Sequence, residues 1–279
     1  MQLIVFSKSF KDDAIPELIQ RAHDWGFEGY DLAVRPGFVV DPDNVAKKLP
    51  QLVKAFEAEG LKLPMITGNF DLLSPSHETA EPILGAMAES GVGLLKLGYW
   101  KYNPAKAERD YWSEVDRHRR TLGRWERVAR KHGVKICYHT HSNYCIGLNC
   151  AALMHLLRGF DPECIGAYVD TGHMLVEGEA FDLGVAMVRD YLSVVAVKDV
   201  LPSREQSNDH GKVKKAWTEA GQGAVDWTFV FETLAGIRFD GPISIHVEYK
   251  KPSRKEFLDA AQREVAFFRA KRDAVLAAT

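Results

Sequence analysis

The chain has 279 residues and carries 36 basic against 38 acidic side chains, a formal net charge of −2. That balance provides no broad attraction for a nucleic-acid backbone or an anionic membrane, so neither is expected as a partner. No apolar run approaches membrane-spanning length, and the first one, residues 3–6, is too short for a signal-peptide core.

Residues 3–6 therefore read as a first strand. Ile15, Leu18, Ile19, Ala22 and Trp25 then repeat at helical spacing, preceded by Asp13 and stopped by Gly26. Residues 27–34 form a second strand with Tyr30 and Asp31 near its end. Val45, Leu49, Leu52, Val53 and Phe56 return to helical spacing ahead of Gly60, and Pro50 inside that run predicts a kink or a short turn before the main helix. Residues 61–67 make a third strand opening into Gly68-Asn69-Phe70-Asp71. Ser76 and Thr79 introduce a helix closing near Gly91. Residues 93–99 are a fourth strand in which Lys96 and Gly98 share one face and Leu95 and Leu97 the other. The longest helix is expected over 105–132, with Trp112, Val115, Leu122, Trp125, Val128 and Ala129 on its packed side. Its Arg117-His118-Arg119-Arg120 run is expected on a solvated face.

The second half continues the alternation: strand 134–138, helix 151–158, strand 165–169, helix 183–191 and strand 194–197. Residues 201–223 read as a long polar loop of the kind used for lids and binding loops. Asp226 caps a helix containing Phe229, Val230 and Leu234, and residues 243–247 form the eighth strand. Ser253-Arg254-Lys255-Glu256 is a capping box opening a final helix with Phe257, Ala260, Val265 and Phe268. Eight strands, each followed by a helix, force parallel pairing. The expected fold is α/β, a single (β/α)8 TIM barrel domain over residues 1–279, with a doubly wound open sheet as the alternative.

The cysteines, Cys137, Cys145, Cys150 and Cys164, form no close CxxC pair, which predicts reduced thiols and a cytoplasmic protein. Cys137, two residues before His139, reads as a small buried hydrophobe. The glycines fit neither the Rossmann spacing nor a phosphate loop, and no serine sits in a nucleophile elbow.

Four apolar runs end in convergent chemistry: 136–141, 168–173, 194–199 and 243–248. Period two sets which side chains share the barrel axis. If His139 faces it, so do Cys137 and His141; if Glu248 does, so do His246 and Ser244; Lys198 goes with Ala196 and Val194. Asp170 joins them at the rim. Imidazole nitrogen with carboxylate oxygen suits zinc, manganese, iron or cobalt. A core histidine bonded to its neighbours is the other reading of His246, and an ion pair with Asp199 or Asp170 the other reading of Lys198. Tyr99, Trp100, Tyr102, Tyr144 and Trp217 are candidates for stacking on a sugar face from rim loops, or for packing one loop on another. Arg204 and His210, in the long loop, are candidates to receive a hydroxyl or phosphate.

Asp170-Thr171-Gly172-His173, Lys198-Asp199 after an apolar strand, Gly221-Gln222-Gly223 followed by Val225-Asp226-Trp227, and Glu248 resemble the xylose isomerase-like barrel superfamily. The likeness extends from Gly26-Phe27-Glu28-Gly29-Tyr30-Asp31 to Glu248. It implies a divalent metal (Mn, Zn, Co or Mg) held by four strand-end residues. Carried onto this chain, Asp170 and Glu248 match, the first Glu falls at His139 within Tyr138-His139-Thr140-His141, and the metal His falls at Ala196. His139, His141 or His246 would have to complete the set, and His246 shares a face with Glu248. The resemblance gives His173 a contact with substrate hydroxyls, while bracing the turn at Gly172 is its structural alternative.

The implied chemistry is that of an isomerase or epimerase acting on a sugar, sugar phosphate or related polyol ketone. A base removes a proton beside a carbonyl and a cation stabilises the enediolate. Glu248 is the first choice of base, with a pKa expected to be raised toward neutrality at a partly dry rim; His139 is the second group, titrating near working pH; Lys198 can hold a carbonyl oxygen. The expected metal set is Asp170, Glu248, His139 and His246. The expected substrate contacts are His173, His141, Arg204, His210 and Trp100. A keto-sugar or inosose dehydratase is one alternative, and a metal-free carbohydrate-binding or regulatory barrel without turnover is another. The endonuclease branch is disfavoured by the near-neutral charge and by Ala196. The expected partner is a small carbohydrate or polyol, with a homo-oligomer left open.

Overall fold

Both faces of a parallel strand wrapped by helices are covered, and the wholly buried Gly29-Tyr30-Asp31-Leu32-Ala33 run meets that condition. The computed structural model describes residues 1–205 and 211–278. β1 (Gln2–Phe6), β2 (Gly29–Ala33), β3 (Lys62–Thr67), β4 (Leu94–Lys96), β5 (Lys135–His139), β6 (Ile165–Asp170) and β7 (Leu192–Val197) follow one another around a closed barrel. β8 (Asp199–Glu205) and β9 (Lys212–Thr218) form a separate antiparallel ribbon, and β10 (Pro242–Ile245) closes the barrel between β7 and β1. Every neighbouring pair in the barrel is parallel, which makes this an eight-stranded (β/α)8 TIM barrel.

The outer layer holds α1 (Ile15–Trp25), α2 (Val45–Ala58), α3 (Ala80–Ser90), α4 (Tyr111–His132) and α5 (Cys150–Leu157). α6 (Thr171–Val176), α7 (Phe181–Val188), α8 (Trp227–Gly236) and α9 (Arg254–Ala277) complete it. Ends form where the sequence supplies caps. Asp226 accepts from the Phe229 amide at 3.0 Å, and Ser253 accepts from the Glu256 amide at 3.2 Å while its hydroxyl donates to the Glu256 carboxylate at 2.7 Å. Each such cap is worth about 1 kcal/mol. Gly26 ends α1 at φ 73°, a conformation that favours glycine.

Period two divides the strand residues between two cores. Ile136, Val169, Val195 and Ile243 face the helices, while Ile4, Met65, Cys137, Tyr168, Val194 and Ala196 fill the barrel axis. That plug confines chemistry to the carboxyl ends of the strands. Burial pushes the Cys137 thiol up to about 12, as befits a core residue.

Several expectations are corrected. The helix expected over 105–132 starts at Tyr111, because Asp110 caps it by accepting from the Ser113 amide at 3.0 Å; with 22 residues it is shorter than the 24-residue α9. α2 runs through Pro50 as one helix. The Arg117–Arg120 run is not wholly solvated: His118 is buried and stacks on Trp100 at 4.6 Å, and Arg119 covers Phe160 at 5.0 Å. Much of the loop expected over 201–223 is the β8–β9 ribbon, which pairs residue by residue from Asp199 with Thr218 to Glu205 with Lys212. Among the described residues no helix is long and apolar enough to cross a membrane.

Candidate functional site

The site begins with a buried floor. Asp31, on β2, accepts from Thr67 Oγ1 at 2.7 Å, from the Tyr168 hydroxyl at 2.9 Å and from Ser244 Oγ at 3.1 Å. Tyr168 also lies 2.9 Å from His246 Nε2. A phenol has one proton, and here it goes to Asp31, so the contact to His246 is an Nε2–H donating to the phenolic oxygen. The other ring nitrogen of His246, Nδ1, lies 3.9 Å from both Asp170 Oδ2 and Glu248 Oε2.

His139 approaches from the end of β5. Its Nε2 lies 3.6 Å from Asp170 Oδ2, its Nδ1 lies 3.1 Å from the Tyr99 hydroxyl, and its ring is near-parallel to His246 at 6.0 Å. Asp170, at the end of β6, accepts from the His173 amide through Oδ1 at 2.9 Å and so caps α6. His139 Nε2 and Asp170 Oδ2 are buried without a hydrogen-bond partner. Such orphaned atoms point to a missing ligand.

One donor atom from each of His139, Asp170 and His246 lies within 4.8 Å of the others. This buried cluster could coordinate a divalent metal, and its two-nitrogen, one-oxygen donor set suits Mn, Fe, Co or Zn. Ala196 presents only a methyl to the plug, in register between Asp170 and Ser244. An imidazole stands next to it on the adjacent chain segment, because His246 follows β10 and β10 pairs with β7.

Burial pushes the His139 imidazole down to about 3, so it is uncharged at neutral pH instead of titrating there as expected. An uncharged ring is the form a metal needs. Burial opposes ionisation of Asp170, yet the Lys198 ammonium holds its carboxyl well below the usual range.

Glu248 corrects a second expectation. Burial would raise its pKa, but Lys198, His246 and Lys8 outweigh burial and hold it well below the ordinary glutamate value. Lys198 Nζ lies 3.0 Å from Glu248 Oε2 and 3.4 Å from Asp170 Oδ2, and Lys8 pairs with the other Glu248 oxygen. Glu248 thus stands beside the three-donor cluster, bound by lysines.

A cavity of about 390 Å³, open solvent at its mouth included, lies above these groups and is lined by His139, His141, Lys198, His246 and Glu248. His141 donates from Nδ1 to the Ser142 carbonyl at 2.8 Å, and burial pushes it down to about 4. His173 does not line the cavity; it stands behind Lys198, with Nε2 3.1 Å from Nζ and Nδ1 2.9 Å from Ser142 Oγ. Gly172 lets this turn close, since a Cβ there would meet the Lys198 carbonyl at 2.6 Å. Trp100 is turned away from the cavity and sandwiched between Tyr138 at 4.9 Å and His118 at 4.6 Å, so its ring faces are already covered. Arg204 is exposed on the ribbon, and His210 lies outside the described residues.

Sequence reasoning passed over Phe6, Lys8, Arg35 and Tyr168 as members of the site. Arg35 carried a usable signal, since it has the parity of Asp31. Of the aromatic candidates, Tyr99 lines the cavity, Trp217 covers Lys198 at 4.2 Å, Tyr102 packs on Tyr111 at 5.5 Å, and Tyr144 is exposed.

The Lys198-Asp199, Gly221-Gln222-Gly223 and Asp226-Trp227 motifs meet at one carboxylate. Asp199 accepts from the Gly221 amide at 2.8 Å, the Gly223 amide at 3.0 Å and the Trp227 indole at 3.0 Å. A Cβ on Gly223 would fall 2.0 Å from Asp199 Oδ1. This knot fixes the base of the ribbon and thereby the strand end that carries Lys198.

Known proteins resemble the chain in sequence and in shape. An inosose dehydratase of Lactiplantibacillus plantarum is 28% identical over 159 residues, which are 54% of this chain and 51% of that protein. The chain spans about half the length of the curated relatives it matches. D-psicose 3-epimerase of Clostridium cellulolyticum H10 superposes at TM-score 0.71 with 16% identity, over 98% of this chain and 99% of that one. A 3-keto-D-glucoside 4-epimerase of E. coli gives 0.74 with 17% identity, over 97% and 99%. These two superpositions establish a shared fold. A family model described as xylose isomerase-like TIM barrel matches residues 19–271, and with the barrel and its strand-end cluster in place, the chain belongs to that family.

Proposed function

We propose that the protein is a metal-assisted isomerase or epimerase acting on a sugar, sugar phosphate or related polyol ketone. The observation that carries this reading is the buried His139, Asp170 and His246 cluster beside Glu248 and Lys198 in one cavity. Glu248 is held ionised, ready to take a proton from the carbon next to a carbonyl. Its basicity is weakened by Lys198, and a substrate oxygen that draws the ammonium away restores it. Lys198 then donates to the oxygen on which charge develops. A divalent cation held by His139 Nε2, Asp170 Oδ2 and His246 Nδ1 would add positive charge for that oxygen. Return of the proton by Glu248 to the neighbouring carbon, with the proton of the adjacent hydroxyl passing back to Lys198, gives isomerisation; epimerisation needs in addition a second proton donor on the opposite face.

A dehydratase reading has its support in the names of the curated relatives. It needs an acid behind a leaving hydroxyl. His141, pushed down to about 4 by burial, is uncharged at neutral pH and gives its Nδ1–H to the Ser142 carbonyl, which makes it a weak acid for that step. Incubation of manganese-loaded protein in deuterated water with ketoses, inososes and their phosphates tests the proposal. Solvent hydrogen entering beside the carbonyl, with interconversion, supports it; neither across the whole panel would overturn it, and an unsaturated product would favour the dehydratase.

A further inference from the structure

Part of the cavity wall takes no part in the chemistry above. Arg35 follows β2 and Lys96 ends β4; both line the cavity, and they are only 6% and 3% exposed. The Arg35 guanidinium lies over Phe70 at 4.4 Å and near Phe6 at 5.6 Å, and the Lys96 ammonium lies over Tyr99 at 3.8 Å. Ring faces attract cations but carry no net negative charge.

The carboxylates around the cavity are engaged elsewhere. Asp31 serves Thr67, Tyr168 and Ser244; Asp170 serves the His173 amide and Lys198; Glu248 serves Lys8 and Lys198. Among the described residues none comes within ion-pair distance of Arg35 or Lys96, and Arg35 Nε is buried with no hydrogen-bond partner. Two like charges held in a desolvated pocket repel each other. Burial and the nearby Arg35 push the Lys96 ammonium down to about 7. An arriving anion would relieve both penalties, and a guanidinium fork suits a carboxylate or a phosphate.

We propose that Arg35 and Lys96 form an anion-binding subsite, and that the substrate is a polyol ketone bearing a carboxylate or phosphate group held there while its carbonyl lies toward Lys198 and Glu248. The inference rests on the isomerase reading only for the placement of the reacting end. It replaces Arg204, exposed on the ribbon, as the receiver of a substrate phosphate.

Calorimetric titration of the full chain at low salt with D-fructose, D-gluconate and D-fructose 6-phosphate tests it. At least one acidic probe is expected to bind about tenfold or more tightly than fructose, and whichever acid binds separates carboxylate from phosphate. R35Q and K96M are each expected to weaken the acidic probe about tenfold and to leave fructose within about twofold. Fructose binding the wild-type chain as tightly as both acids would overturn the inference, as would an acid preference that survives in the double variant. The wild-type ratio needs no substitution, so poor folding of a variant does not obscure it. Binding is read without turnover: acid preference without solvent exchange would count against the isomerase reading alone, and exchange on neutral ketoses without acid preference against the subsite alone.

Discussion

Lys198 Nζ lies 3.0 Å from Glu248 Oε2, and the same ammonium lies 3.4 Å from Asp170 Oδ2. One buried cation therefore serves two acids, one of them in the metal cluster and the other the proposed base. Removing it leaves two carboxylates without their shared counter-charge. K198M is expected to lower stability by about 3 kcal/mol at neutral pH, read by urea denaturation. Added manganese is expected to recover part of that loss, because it supplies positive charge to the same oxygens. Unchanged stability in K198M would show that this pair carries little energy.

Tyr168 sets the orientation of His246 by accepting a hydrogen bond from its Nε2–H while donating its own hydroxyl to Asp31. Y168F removes that acceptor while keeping the ring in the plug. Manganese affinity is expected to fall about 10- to 100-fold in a titration, as it does when the group orienting a metal-ligating histidine is lost. An unaltered affinity would mean that His246 needs no such partner.

Asp199 is expected to matter for stability more than for chemistry, since its carboxylate gathers the Gly221 and Gly223 amides and the Trp227 indole. D199A leaves these donors without their acceptor, and a loss of about 3 kcal/mol in urea denaturation is expected. A variant as stable as the parent would contradict this role.

Glu264 gives the clearest pH dependence away from the site. Burial on α9 pushes its carboxyl from 4.5 up to about 8. Between those values the folded chain keeps a proton that the unfolded chain has lost, so stability falls as pH rises through the window. E264Q removes the ionisation, and its advantage over the parent is expected to grow with pH to the order of 5 kcal/mol above that window. Parallel stability curves for the two proteins would refute the assignment.

The barrel was legible because eight apolar runs alternate with helical spacings, and period two then placed His139, Asp170, Lys198, His246 and Glu248 at one rim. What the sequence hid depends on contacts between distant segments. His246 was already a candidate for the imidazole that Ala196 lacks, because the seventh and eighth strands of the barrel, β7 and β10, are neighbours; its contact with Tyr168 on β6 was not legible. The low pKa of Glu248 arises from Lys198 and from Lys8, 240 residues away in the chain. Trp100 looked like a rim aromatic, but Tyr138 and His118 cover its faces. Arg35 had the right parity but stood in a stretch without a recognisable motif.

Manganese titration of metal-stripped wild-type protein, beside D170N, tests the central claim that three strand ends converge on one cation site. Wild-type protein is expected to take up about one ion per chain, with D170N losing most of that affinity. No uptake by the wild type, or equal uptake by D170N, would contradict it.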